Sequence, residues 1–330
     1  MSNTISRRRL LKGAGIVAGT AAIAAPSVLR GEAAMPRVTS VTLQTGFTVI
    51  LNEYMAAKRF DLKHGVNIDV INSYVSVTNY YNDFTAGTFE MGIGSWDTWA
   101  ARFLAGVPLK LISTLTDFDL LNIVALKGGP AAAADLRGKT LAATLSSGAY
   151  RITKHALAAF HQLEAGKDYT VQNTESPAGA VAMVLGGSAQ AGLTWEPNVS
   201  VGMEREPKLT TIYNLGQDFR KNTGIELPYF AVALRNEAEQ RHPGVSAKIA
   251  AAMSDCANGV AANVDEAVKL SAAKMKVSEA ALRNAFSSQR LAFKPMSMQD
   301  PKGREVVLKA ADYLAKNRVL EKPLTPEFLG

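Results

Sequence analysis

The chain has 330 residues, a length that suits about two domains. Hydrophobic residues make up 47% and charged residues 20% of it, a composition typical of a globular protein rather than a disordered one. The formal net charge is +7, but residues 1–33 carry +4 of it, which leaves +3 spread along the rest. There is no compact basic stripe with interleaved aromatic residues, so we expect no nucleic acid as a partner.

The N-terminal segment is typical of an export signal. Three arginines at positions 7–9 precede a short run of small and apolar residues that ends at Pro26. This run is too short to span a bilayer as a stable helix. We therefore predict that residues 1–33 are a signal peptide that is removed from a periplasmic protein. No cysteine lies near the cleavage region, so we expect no lipid anchor.

The export route is suggested by the segment SRRRLLK at residues 6–12. It resembles the twin-arginine signal, with Leu10 in place of the usual phenylalanine. A general secretory signal that contains an arginine pair by chance is the alternative.

Short apolar strands alternate with helical stretches in the first part of the mature chain, and this alternation favours parallel βαβ units. The predicted strands are 38–45, 66–74, 89–95, 109–115 and 120–126, and the predicted helices are 49–60 and 77–87.

The same pattern begins again after the Gly-Gly-Pro turn at residues 128–130. The predicted strands are 139–145, 168–174, 189–195, 209–215 and 228–235, and helices are expected from about 148, 177 and 197. The chain after 235 is almost wholly helical, and about 100 helical residues need a sheet to cover.

We therefore expect this helical C-terminal tail to pack on the first unit. The prediction is an α/β fold with a discontinuous lobe one at 36–125 and 229–330, lobe two at 126–228, and two segments that cross between them. Two domains in series are the alternative.

Four turns are expected to line a binding cleft, because ligands of open α/β sheets bind beyond the carboxyl ends of the strands. These turns lie at residues 45–48, 94–97, 146–150 and 194–197. They are rich in hydroxyl, aromatic and carboxylate side chains, and they hold two of the three tryptophans.

The turn before the helix at 148 carries the sharpest signal. Ser147 is placed to cap that helix, and Gly148 would let a ligand approach the backbone closely. The free N–H groups and the positive end of the helix dipole favour an anion or a polar oxygen there. The alternative is that Ser146 and Ser147 only cap the helix.

Four segments, in order, resemble the periplasmic substrate-binding proteins of ABC importers in the nitrate, sulfonate and taurine group. They lie at residues 84–97, 135–157, 176–197 and 310–324. The resemblance covers nearly the whole mature chain. It implies the type II periplasmic binding protein fold, with two α/β lobes, a cleft, and hinges near 124–128 and 226–230.

The resemblance implies a receptor, not an enzyme. Such a receptor closes on a small ligand. From Ser147 at the helix N-terminus and from Trp96, we expect a small organic anion that bears a sulfonate, a carboxylate or a similar oxyanion. The receptor delivers this ligand to a membrane permease and its ATPase, and we expect it to act as a monomer. The implied ligand-binding residues are Ser146, Ser147, Gly148 and Ala149 from lobe two, Ser95 and Asp97 from lobe one, Trp195 and Glu196 on the opposite wall, and Phe47 and Tyr229 as further candidates.

Trp96 departs from the small residue that the family commonly has before the aspartate. We expect its ring to face the cleft and stack on a flat or apolar part of the ligand. The alternative is that Trp96 belongs to the core of lobe one.

Two other functions remain open. One is the binding of a planar heterocycle such as a thiamine-precursor pyrimidine, and the other is an enzyme on the same fold with Asp97 and Glu196 as a carboxylate pair. The usual hydrolase, metalloprotease and phosphate-loop motifs are absent from the sequence, and Cys256 is the only cysteine. We therefore expect no catalytic residues, no metal and no cofactor.

Overall fold

The computed structural model describes residues 35–44 and 46–330, so the predicted signal peptide lies outside the described residues. Two separate β-sheets organise this part of the chain, each covered by helices. The first sheet has the order β11-β4-β10-β3-β1-β2. Its strands are β1 (Arg37–Leu43), β2 (Asn67–Tyr74), β3 (Met91–Ser95), β4 (Leu109–Thr114), β10 (Phe230–Arg235) and β11 (Met296–Ser297). Strand β1 runs parallel to β2 and β3, whereas β10 lies antiparallel between β3 and β4.

The second sheet has the order β7-β6-β8-β5-β9. Its strands are β5 (Leu121–Leu126), β6 (Thr140–Ala143), β7 (Thr170–Asn173), β8 (Ala191–Trp195) and β9 (Leu209–Asn214). Strand β6 is parallel to both of its neighbours, and β5 is antiparallel to β8 and β9. Each sheet therefore has parallel βαβ units and one strand, β10 or β5, that enters from the other lobe.

Helices occur at each position that the sequence predicts, and two more, Trp96–Leu104 and Leu215–Thr223, occur where it predicts none. Lobe one has α1 (Thr48–Lys58), α2 (Phe60–Lys63), α3 (Val77–Ala86) and α4 (Trp96–Leu104), and lobe two has α5 (Gly148–His161), α6 (Pro177–Leu185), α7 (Asn198–Arg205) and α8 (Leu215–Thr223). The tail has α9 (Asn236–Arg241), α10 (Val245–Ala262), α11 (Val264–Met275), α12 (Glu279–Ser287) and α13 (Pro301–Lys316). Helix α10 packs on β4 and α11 packs on α1, so the tail covers the first sheet. Among the described residues, none of the helices combines the length and the apolar character that a bilayer span needs.

The chain crosses between the sheets twice, through two segments that pair with each other. Tyr229 N donates to Thr116 O at 2.8 Å, and Leu115 N donates to Phe230 O at 2.7 Å. The second crossing lies where the sequence predicts it, near 226–230. The first lies at about 115–120, before the predicted 124–128, because β5 pairs with β8 and β9 in the second sheet and so belongs to lobe two.

Candidate ligand-binding site between the lobes

The turn that begins helix α5 lies at the contact between the lobes. Ser147 Oγ accepts a hydrogen bond from Tyr150 N at 3.3 Å and donates one to Thr144 O at 2.6 Å, so Ser147 caps the helix as predicted. The neighbouring Ser146 Oγ accepts from Thr78 Oγ1 of α3 at 3.0 Å. Hydroxyl groups of this turn therefore fix the start of α5 and also touch lobe one.

Asp97 of lobe one pairs with Arg151 of lobe two. The Asp97 side chain is 0% exposed, and its Oδ2 accepts from Arg151 Nε at 3.0 Å and Nη2 at 2.6 Å. Its Oδ1 accepts a short hydrogen bond from Ser95 Oγ, and Arg151 Nη2 also donates to Thr98 Oγ1 at 3.1 Å. The charge of Asp97 raises the pKa of Arg151. This charge-assisted pair ties α4 to the first turn of α5.

The carboxylate of Asp97 packs directly against Gly148, the first residue of α5. A Cβ atom at position 148 would overlap both Asp97 oxygens and the hydroxyl of Ser95. The sequence predicts that a ligand approaches the backbone closely here. In the structure, the side chain of Asp97 makes that approach. The N-terminus of α5, where the sequence predicts a ligand oxyanion, therefore has the carboxylate of Asp97 against it.

We expect Gly148→Ala to push the lobes apart, because the new methyl group has no space beside the buried Asp97 side chain. Small-angle X-ray scattering should show a larger radius of gyration than in the wild type. Gly179→Ala is the matched control: Gly179 also lies in the first turn of a helix of lobe two, but its Cβ would come no closer than 3.3 Å to another atom. An unchanged radius for a folded Gly148→Ala variant would contradict the expected opening.

Glu196, predicted to line the opposite wall, takes part in a second buried ion pair. Its side chain is 0% exposed, and Oε1 accepts from Arg290 Nε at 2.6 Å and from Ser200 Oγ at 2.9 Å. Burial raises the pKa of Glu196, although Arg290 and Ser200 act in the opposite direction. Arg290 and Ser200 thus donate hydrogen bonds to the carboxylate that the sequence predicts to bind a ligand. Arg290 follows α12 of the tail, so this pair also links lobe two to lobe one.

An apolar cavity lies between the ends of β1, β8 and β10. Its walls include Phe47, Thr48, Pro177, Trp195 and Phe230, which come from both lobes. Phe47 and Phe230 meet edge to face with 4.7 Å between ring centroids. In the arrangement described here the cavity offers only about 10 Å³, room for about one water molecule. Two predicted site residues, Phe47 and Trp195, are therefore brought together from separate lobes.

Tyr229 connects this cavity with the Asp97 region. Its ring centroid lies 6.0 Å from that of Trp195, and the side chain is almost completely buried. Burial, together with the nearby Tyr81 and Asp97, raises the pKa of Tyr229 well above its usual value. Tyr229 thus stays protonated and presents a hydroxyl group rather than a charge.

Trp96, which we expect to face the cleft, has a side chain that is 0% exposed. That side chain belongs to the main hydrophobic cluster, as do those of Phe47 and Trp195. It is not among the residues that line the apolar cavity. The indole Nε1 has no hydrogen-bond partner among the described residues. The first turn of α4 thus directs Asp97 to the other lobe, and Trp96 beside it is also completely buried.

Two cations were not predicted from the sequence: Arg151, which binds Asp97, and Arg290, which binds Glu196. Arg151 has a local signal, because it lies four residues after the cap Ser147 and so one helical turn into α5. Arg290 has none, since its partner Glu196 is 94 residues away along the chain.

Groups that an enzyme could use are bound by other side chains or buried in this structure. Asp97 and Glu196 are each bound by a different arginine. Cys256 is buried, and burial raises its pKa to about 12. No group of three or more potential metal ligands occurs in the part of the chain that the structure describes.

The sequence matches no protein-family model, and none of the curated proteins matches it either. Solved structures do match. The periplasmic aliphatic sulphonate binding protein SsuA from Escherichia coli superposes with a TM-score of 0.68 at 14% identity, over 88% of this chain and 90% of that one.

Two further structures show the same similarity. The alkanesulfonate-binding protein SsuA from Xanthomonas axonopodis pv. citri gives a TM-score of 0.70 at 15% identity, over 87% of this chain and 95% of that one. The periplasmic nitrate-binding protein NrtA from Synechocystis gives 0.62 at 16% identity, over 76% and 69%. The chain therefore has the two-lobe α/β fold of periplasmic binding proteins, the fold that its sequence predicts.

Proposed function

We propose that this protein is an extracytoplasmic solute receptor that binds a small organic anion between its lobes and delivers it to the permease and ATPase of an ABC importer. The similar structures named above are binding proteins, and this supports a receptor rather than an enzyme. Because a fold does not determine a function, the proposal rests on the site. Its main support is the carboxylate of Asp97, which Arg151 holds against the N-terminus of α5.

The first turn of α5 offers the chemistry that an oxyanion needs. Backbone N–H groups of a first helical turn have no partner within the helix, and the helix dipole is positive at that end. Ser147 occupies Tyr150 N, which leaves the N–H groups of Gly148 and Ala149 as the donors nearest to an incoming anion. The guanidinium of Arg151 adds a full positive charge to which Asp97 already binds through two nitrogens. A sulfonate or a carboxylate of the ligand fits the same donors.

The apolar cavity suits the remainder of the ligand. Aromatic rings of Phe47, Trp195 and Phe230 form its walls, and the ring of Tyr229 packs against Trp195 and Phe230. The cavity is too small for more than about one water, so the lobes must separate before an organic molecule enters and close again around it. The paired segments at 115–120 and 227–229 are where the chain crosses, and we propose that the lobes rotate there.

A thermal-shift screen of the purified protein tests this function. The panel contains methanesulfonate, taurine, nitrate, acetate, benzoate and a neutral pyrimidine. At one hundred times its dissociation constant, a ligand stabilises the folded state by about 2.7 kcal/mol. We expect at least one organic oxyanion to raise the melting temperature and then to bind with a stoichiometry of one in calorimetry. Binding of the pyrimidine alone, or chemical turnover of a panel compound, would contradict the proposal.

We also propose that the protein is exported by the twin-arginine route. Replacing both Arg7 and Arg8 with lysine should leave the precursor in the cytoplasm, because that signal depends on the arginine pair. The measurement is the fraction of protein in periplasmic and cytoplasmic extracts. Arg9→Lys is the control, since Arg9 lies outside the pair. An unchanged periplasmic yield for the double variant would favour a general secretory signal.

A further inference from the structure

We propose that Asp97 is an internal competitor of the ligand: its carboxylate occupies the oxyanion position at the N-terminus of α5 and has to leave before an anion binds. This inference rests on the proposed function. In this role Asp97 does not accept hydrogen bonds from the ligand. It competes with the ligand for the same donors.

Asp97 makes the contact with Arg151 that a bound oxyanion would make, and its hydrogen-bond donors among the described residues are the side chains of Arg151 and Ser95. One oxygen accepts two hydrogen bonds from the guanidinium of Arg151, and the carboxylate group lies against the backbone of Gly148. The side chain is completely buried, whereas that of Arg151 is 35% exposed. A carboxylate from lobe one thus fills the space that the chemistry of lobe two offers to an anion.

The competition follows from where the two partners lie. Asp97 begins α4 in lobe one and Arg151 lies in α5 of lobe two, so the pair forms only when the lobes are together. An anion seated on Arg151 and Gly148 excludes Asp97 from that position by charge and by volume. The pair of Asp97 and Arg151 stabilises the closed protein only when no ligand is bound. This stabilisation therefore lowers the apparent affinity for the ligand.

The second buried pair between the lobes provides a matched comparison. Glu196 and Arg290 are held by Ser200 and Asn284, and no hydrogen bond among the described residues joins either of them to α5. An anion at α5 leaves this pair intact. Weakening it destabilises the closed arrangement with and without a ligand alike, so affinity should not rise.

This arrangement also has a consequence for specificity. A neutral molecule gains little binding energy from Arg151 and does not replace the negative charge of Asp97 beside it, so the carboxylate of Asp97 excludes a neutral molecule. A bound anion replaces the negative charge of Asp97 with its own. The internal competitor thus favours ligands that carry a full negative charge.

The decisive variant is Asp97→Asn, which keeps the shape of the side chain and removes its charge. The affinities of methanesulfonate and acetate, measured by calorimetry, should rise tenfold or more, while the neutral acetamide should gain less. Asp97→Ser is the second variant in case the asparagine protein folds poorly, and it should change affinity in the same direction. Glu196→Gln, the control, should not raise affinity for the same anions.

The outcomes separate the two proposals. If methanesulfonate and acetate bind to the wild type and Asp97→Asn binds them equally or more weakly, Asp97 is not a competitor and the receptor function stands. If neither anion binds to the wild type or to either Asp97 variant, an oxyanion site at α5 is wrong and the competitor role falls with it. A tenfold gain in both Asp97 variants, with no gain in Glu196→Gln, is the result that the proposal requires.

Discussion

Replacing Trp96 with alanine is expected to lower the free energy of unfolding by about 3–5 kcal/mol, because the change leaves a large cavity in the main hydrophobic cluster. The side chain is completely buried within the main hydrophobic cluster. Denaturant unfolding measures the loss directly. Anion affinity of the protein that remains folded should be nearly unchanged, because Trp96 is not among the residues that line the apolar cavity.

Trp96→Phe separates packing from ligand contact. Phenylalanine keeps most of the apolar volume and removes the indole N–H, which has no partner among the described residues. Its loss of stability should be much smaller than that of alanine, since a buried polar group without a partner is itself unfavourable. A Trp96→Ala protein of normal stability that binds anions poorly would contradict this placement of the ring and restore the stacking role.

Replacing Arg290 with alanine should have a comparable effect, a loss of about 3–5 kcal/mol at neutral pH, because it leaves the completely buried carboxylate of Glu196 without its cation. The Arg290 side chain is 21% exposed, so water will offset part of this loss and the lower end of the range is the better expectation. The double variant Arg290→Ala, Glu196→Gln should be more stable than Arg290→Ala alone, since a neutral amide is less costly to bury than a charge.

The pH dependence gives a second test of the same pair. Burial already raises the pKa of Glu196, and losing Arg290 should raise it further. A carboxyl group whose folded-state pKa exceeds its unfolded-state value binds more protons in the folded state, so the free energy of unfolding increases as the pH falls through the folded-state pKa. The deficit of Arg290→Ala should therefore shrink toward acidic pH. A deficit that is the same at all pH values would contradict a charged Glu196 as its cause.

The sequence was sufficient for the elements and the fold class, but not for every pairing of strands. Alternating apolar runs and helical stretches locate the strands and predict that the tail covers the first sheet. The runs at 109–115 and 120–126 look alike in the sequence, yet β4 joins the first sheet and β5 the second. Local pattern does not record which sheet a strand enters, because that choice depends on partners far away along the chain.

In the site, too, features within one turn were predictable from the sequence, and contacts between distant residues were not. The cap at Ser147 and the close approach at Gly148 follow from residue type and position within one turn, and the structure has both. The arginines that bind Asp97 and Glu196 depend on how the lobes meet, so the sequence analysis left both carboxylates open to a ligand. Trp96 and Asp97 are adjacent in α4 and both are completely buried, which the sequence of the turn does not show.

A crystal structure with 2-bromoethanesulfonate shows whether the oxyanion of a ligand binds at α5, because anomalous scattering locates the bromine and sulfur atoms separately. We expect one molecule between the lobes. Its sulfonate oxygens should lie within hydrogen-bond distance of the guanidinium of Arg151 and the N–H groups of Gly148 and Ala149, with the bromine toward Trp195 and Asp97 moved away from Arg151. A sulfonate bound elsewhere, or none between the lobes while Asp97 keeps its contact with Arg151 at saturating concentration, would contradict an oxyanion site at α5.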